Sequence, residues 1–217
     1  MLTSGLDPVT IIVRAIVLLI ALPLHELAHA LMADYLGDPT PRNMGRITLN
    51  PIKHLDLFGT IAFMIVGIGW AKPVMVNPYN MRGNPHTDMA IVAVVGPLTN
   101  FALALLGAIP FHLEFLTSLF TSTPDASGFI FYFLTEFVYL NLALAFFNLL
   151  PVPPLDGYKI LIGLLPFEIG LKLQPLNQYG FLILIALIFF LPRMGIDIIG
   201  TIVWQPTQAL FSLLVGL

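Results

Sequence analysis

The sequence predicts an all-α polytopic membrane protein with about five to six hydrophobic segments, a re-entrant loop and short membrane-embedded β-strands near the active site, and two observations predict its membrane class. Of its 217 residues, 58% are hydrophobic and 10% charged, with a mean hydropathy of +0.92, a balance foreign to ordinary soluble domains. Apolar runs of roughly membrane length recur along the chain between short polar stretches carrying Pro and Gly. Cys is absent, so disulfides and thiolates play no part and any metal must be held by His, Asp or Glu. The formal net charge of -3, without a basic stripe, offers no footprint for nucleic acid. The partner implied is the lipid bilayer. Residues 1–217 read as one transmembrane domain, with a core at about 9–165 and C-terminal hydrophobic segments at about 177–217.

The first span extends from about Val9 to Tyr35. A secretory signal cut near Ala28-His29-Ala30 is excluded, because residues 1–8 carry no Lys or Arg and the apolar run continues through Leu36. Arg14 is expected to snorkel to the nearer surface, Pro23 to kink the helix, and Gly37-Asp38-Pro39 to end it. Residues 38–56 are polar and include Gly45 to Leu49, a β-prone stretch that predicts a short strand or hairpin edge. Residues 57–70 are apolar with three Gly, but they fall short of the ~20 residues a crossing helix needs.

The next run, about Met89 to Phe111, contains Gly96-Pro97-Leu98-Thr99-Asn100. A turn-rich linker without Lys or Arg leads to the run Phe129 to Leu150, which carries Glu136, Asn141 and Asn148. Three prolines in four residues then break the helix at Pro151-Val152-Pro153-Pro154-Leu155-Asp156-Gly157. Tyr158 to Leu173 is short and partly amphipathic, and hydrophobic runs follow at Phe181 to Leu191 and Ile196 to Leu217. His54, His86 and His112 read as surface or interfacial histidines, and Asn100 as an interhelical packing amide.

The chemistry concentrates in His25-Glu26-Leu27-Ala28-His29, inside the first span. Histidines four apart project from one helix face, so both can reach one metal with Glu26 beside them as general base. Burying this set in lipid purely for packing is expensive. An open catalytic zinc site wants a third protein ligand. Asp156 is the stronger candidate, freed from helical geometry by the prolines; Glu136 is weaker, roughly 30 Å away along a helix at ~1.5 Å per residue. Locally, Asp156 could instead cap the following helix.

If His25, His29 and Asp156 meet, the first and the 129–150 spans point the same way and the 89–111 span points oppositely. Residues 57–70 must then dip in and return as a re-entrant loop. Arg42, Arg46, Lys53, Lys72, Arg82 and Lys159 fall on the side nearest the site, which the positive-inside rule makes cytoplasmic. A membrane metal-ion transporter using the same His, Glu and Asp groups as a transit site is the alternative.

These residues together resemble the site-2 protease family of intramembrane zinc metalloproteases. The resemblance lies in the HELAH pentad in an apolar helix, in Gly96 to Asn100, and in Asn148-Leu149-Leu150-Pro151-Val152-Pro153-Pro154-Leu155-Asp156-Gly157. The stretch Gly69 to Val74 with Asn77-Pro78 is similar to the compact subgroup without PDZ or CBS domains. The resemblance implies one Zn²⁺ per chain held by His25, His29 and Asp156. It makes Glu26 the base for a zinc-bound water, and Asn148 a group that binds or polarises the scissile carbonyl. It further implies short membrane-embedded strands near residues 45–50 and 70–78, where an extended substrate could add a strand. The expected activity is hydrolysis of peptide bonds in or near transmembrane segments of membrane-protein substrates. The expected location is the plasma membrane of a prokaryote, as a multi-pass protein.

Overall fold

The computed structural model describes residues 8–56, 59, 71–113 and 126–216. Its first helix, α1 (Pro8–Leu36), passes through Pro23 and buries Val13, Val17, Ala21, His25, His29 and Ala33. These residues are spaced by four, so both histidines prolong the same apolar stripe that turns α1 toward its neighbours. Ile12, Ile16, Ile20 and Leu31 lie exposed on other faces, as lipid-facing positions should. α1 ends at Gly37, whose φ of 113° suits glycine.

Helix α2 (Pro85–Ala108) opens on Asn84, whose side chain accepts from the His86 N–H, and a 3-10 turn extends it to His112. Its buried stripe holds Ala93, Gly96, Asn100, Ala104 and Gly107, mostly small residues that let helices approach closely. Helix α3 (Ala126–Asn148) packs Val138 and Leu142 against Ala104 and Ala108 of α2.

Side-chain pairs fix the directions. Thr10 pairs with Tyr132 at 2.7 Å and Arg14 with Glu136 at 2.9 Å, both across an offset of 122 residues, so α1 and α3 run parallel in constant register. Against α2 the numbers run oppositely: His29 meets Val92 and His25 meets Asn100. The expected alternation of directions is thus present. Arg14 does not snorkel alone; it grips Glu136 through Nε and Nη2, and the pair neutralises two charges within the bundle.

After α3 the proline-rich break, with the Pro153–Pro154 bond cis, leads into α4 (Asp156–Leu164). Pro166 separates α4 from α5 (Phe167–Leu173), which continues through a 3-10 piece, α6 (Gly180–Ile185) and a π turn to Met194. The stretch expected as one segment at 158–173 is therefore divided, because Pro166 can start a helix but not continue one. Its second part joins the 181–191 run. Among the described residues four helices are long and apolar enough to cross a membrane: Pro8–Leu36, Pro85–His112, Gly128–Asn148 and Phe167–Met194. The last hydrophobic segment forms a π turn and α7 (Gln205–Val215), which packs Phe211 and Val215 on the α2–α3 core.

Residues 37–56 and 71–84 form a polar layer at one end of the bundle. No strand occurs among the described residues, and the β-prone stretch 45–49 runs as turn and bend. A single antiparallel bridge pairs Leu55 with Ala71. Arg46 supplies the reason: its guanidinium donates to the carbonyls of Lys53, Lys72 and Pro73, occupying acceptors a strand partner would use. The expected re-entrant dip falls on 57–70, which lie outside the described residues apart from Gly59. His54 is not a surface histidine. It is fully buried, and its Nε2 donates to the Thr48 carbonyl at 2.9 Å.

Candidate metal centre

Three elements bring the centre together. α1 supplies His25 and His29, α2 supplies a wall of small residues, and the turn into α4 delivers Asp156. A Cβ on Gly157 would lie 2.1 Å from the Leu149 carbonyl oxygen, so only glycine lets the start of α4 fold back onto the end of α3. A Cβ on Gly96 would lie 2.4 Å from His29 Nε2, so glycine also makes room for the rings. Asp156 is the first residue of α4, after Leu155 at the cap position, and its side chain makes no capping bond.

His25, His29 and Asp156 are 4%, 6% and 5% exposed. Asp156 Oδ2 lies 3.1 Å from each Nε2, and the two Nε2 atoms lie 3.0 Å apart. A tetrahedral set with bonds of ~2.0 Å has an edge of about 3.3 Å, so the spacing fits.

The tautomers follow from the partners. Asn141 Nδ2 donates to the Phe137 carbonyl, which can only accept, so its Oδ1 takes a proton from Asn100 Nδ2 at 3.0 Å. Asn100 Oδ1 then accepts from His25 Nδ1–H at 2.6 Å. His29 Nδ1–H likewise donates to the Val92 carbonyl at 2.7 Å. With both Nδ1 protons committed, two neutral imidazoles present bare Nε2 lone pairs to a carboxylate oxygen. Three such acceptors at this spacing need a shared proton or a bound cation between them, and three lone pairs aimed at one point suit a cation. The donor set therefore fits a metal ion.

Glu26 is one residue off the buried stripe and faces the polar layer, where its Oε2 accepts from the Val74 N–H at 3.0 Å. Burial pulls the Arg46 guanidinium below its ordinary value, an effect that the nearby Glu26 carboxylate partly offsets. Asn148, at the end of α3, donates to Leu144 O at 3.0 Å and is half-buried. Glu136 is committed to Arg14, away from the three-atom cluster.

The model of Peptidase family M50 matches residues 13–191. The chain belongs to that family. A Bacillus subtilis (strain 168) member named "Putative zinc metalloprotease YwhC" is 39% identical over 178 residues, covering 79% of this chain and 78% of that protein. A Mycolicibacterium smegmatis member, "Putative zinc metalloprotease Rip2", is 31% identical over 177 residues, covering 78% of this chain and 64% of its own length. The Mycobacterium tuberculosis (strain ATCC 25618 / H37Rv) protein of the same name is 30% identical over 194 residues, covering 86% and 70%. No solved structure matches the chain.

M50 membership agrees with the site-2 protease resemblance of the sequence. Within this M50 chain the structure adds partners that the sequence did not single out. Asn100, read as a packing amide, orients His25, and Asn141 orients Asn100. Lys159, three residues after Asp156, reaches its Oδ1 at 3.1 Å. Only the spacing from Asp156 to Lys159 is a local signal; the amides face their partners across helices.

Proposed function

We propose that this M50 chain is an intramembrane zinc endopeptidase that hydrolyses peptide bonds in or near transmembrane segments of membrane proteins. One observation carries the reading: three lone-pair atoms converge where Asp156 meets His25 and His29 of a helix of membrane length. The histidines lie seven and eleven residues before Leu36, about 10–16 Å from the end of α1. His25, His29 and Asp156 would hold the metal, and a single Zn²⁺ suits this set of two imidazoles and a carboxylate. Bound there, zinc supplies Lewis acidity, polarising a carbonyl and making water easier to deprotonate.

The rest of the chemistry belongs to the chain. Glu26 holds one carboxylate oxygen on the Val74 N–H and keeps the other to take a proton from the attacking water, then return it to the leaving amine. Asn148 spends one amide N–H on Leu144 O and has a second to donate to the scissile carbonyl. The segment around Val74 runs past Glu26, held there by the Val74 N–H and, through the carbonyls of Lys72 and Pro73, by Arg46, so it borders the approach of a substrate to the centre. A cavity of about 260 Å³ lined by Met44, Arg46, Lys53, Lys72, Pro73 and Met75 lies in this layer. The basic residues at this end support a cytoplasmic orientation in a prokaryotic plasma membrane. Leu55 pairing with Ala71 supports a re-entrant path for the chain between them, because that stretch leaves and returns at one place. Metal transport is the weaker reading, since the carboxylate further along the bundle, Glu136, is committed to Arg14, and Val17, Ala104 and Val138 fill the interior.

Replacing Glu26 by Gln tests the base. Glu26→Gln is expected to retain zinc by elemental analysis and to lose cleavage of a membrane-spanning substrate in detergent by at least ~100-fold; undiminished cleavage removes Glu26 from the mechanism. Asp156→Ala is expected to lower the bound zinc, and unchanged stoichiometry removes Asp156 from the ligand set.

A further inference from the structure

The geometry points to Lys159 as a positioning residue that confines Asp156 to a one-oxygen grip on the metal. The inference rests on the reading of His25, His29 and Asp156 as ligands. The two oxygens of Asp156 have different neighbours. Oδ2 faces both imidazoles at 3.1 Å, whereas Oδ1 accepts from Lys159 Nζ at 3.1 Å. The reach is built into α4, because residues three apart share a helix face. The Asp156 side chain is 6% exposed and that of Lys159 38%, so the ammonium sits where the buried centre meets the polar layer.

A carboxylate with both oxygens free can close on a divalent cation through both. A second oxygen in the coordination shell would take space that a catalytic site must keep for water and a substrate carbonyl. An ammonium bound to Oδ1 makes that oxygen the poorer donor and fixes the carboxylate with Oδ2 toward the imidazoles. Lys159 thereby keeps a position open without touching metal or substrate. A lysine that merely solubilised the start of α4 would leave coordination unaltered.

Cobalt(II) loaded into the full-length protein in detergent reads this directly, since the intensity of its visible bands falls as coordination number rises. Lys159→Met is expected to weaken those bands and to lower kcat on a membrane-spanning substrate about tenfold or more, with KM unchanged. Lys159→Arg, which keeps a charged N–H donor, is expected to restore the bands of the unaltered protein. Unaltered bands in Lys159→Met, or weakened bands in Lys159→Arg, overturn the role. Should Lys159→Met fail to reach the unaltered thermal midpoint, Lys159→Ala takes its place with the same two outcomes. Absence of cobalt bands in the unaltered protein refutes the metal centre itself and this inference with it.

Discussion

Gly96 decides how near α2 can come to the two histidines. A Cβ there would meet His29 Nε2 at 2.4 Å and His25 Cε1 at 2.6 Å, and neither ring can swing aside without giving up its Nδ1 partner. Gly96→Ala is therefore expected to weaken zinc about 10–100-fold by chelator competition, while circular dichroism shows helix content unchanged. At this scale the sequence was legible where chemistry is local. His25, Glu26 and His29 stand within five residues, and Asp156 could be reached by asking what third ligand the spans could deliver. Asn100 was not legible, since its role depends on facing His25 across 75 residues of chain. Nothing in Gly96-Pro97-Leu98-Thr99-Asn100 distinguishes an amide that orients a ligand from one that packs helices. Asn148 remains a proposal resting on its position and its free N–H.

The elements carry two further tests. Gly157 is in contact with backbone, where nothing can yield: its Cβ would lie 2.1 Å from Leu149 O and 2.5 Å from Leu150 O. Gly157→Ala is expected to lever Asp156 away from the histidines, abolishing stoichiometric zinc while α1, α2 and α3 persist by hydrogen exchange. The Arg14–Glu136 pair holds α1 and α3 in register. Glu136→Leu leaves a guanidinium without its carboxylate and, with the Arg14 side chain 37% exposed, is expected to cost about 1–2 kcal/mol in detergent denaturation, most of it recovered in the double replacement Arg14→Leu with Glu136→Leu. Element positions were readable from apolar runs and prolines, yet what joins them was not. Arg14 alone suggests snorkelling, and only α3 running parallel at a constant offset supplies its acid. The strand expected near 45–49 gave way to Arg46, a residue whose carbonyl partners lie up to 27 positions away.

For the molecule as a whole, the two segments of the polar layer are joined to each other, just past the end of α1, by Asp38, which is fully buried. Asp38 accepts from the Thr40 N–H at 3.0 Å, the Asn77 N–H at 2.7 Å, Asn80 Nδ2 at 2.9 Å and the Thr40 hydroxyl. Burial alone would push this carboxyl up, but the donors prevail and hold it below its ordinary value. A lowered folded-state value means that the stabilisation is complete above the ordinary carboxylate pKa of ~3.9 and is lost as pH falls through the folded value. Hydrogen exchange at residues 77–82 is expected to quicken below about pH 4, and in Asp38→Asn to be fast already at neutral pH. The overall path, with α1 and α3 parallel and α2 reversed, is legible in the sequence, because a site shared by His25, His29 and Asp156 would demand it.

The bundle is pinned at two heights. The Arg14–Glu136 pair clamps α1 to α3, and eleven residues along α1, about 16 Å away, His25, Asn100 and Asn141 link α1, α2 and α3 in a row. A helix fixed at one point can still screw or slide past its neighbour; fixed at two, it moves only with that neighbour. In a thinner or thicker bilayer α1 and α3 must therefore tilt as one body. The distance between His25 on α1 and the end of α3, where the chain turns toward Asp156, is thus insulated from bilayer thickness.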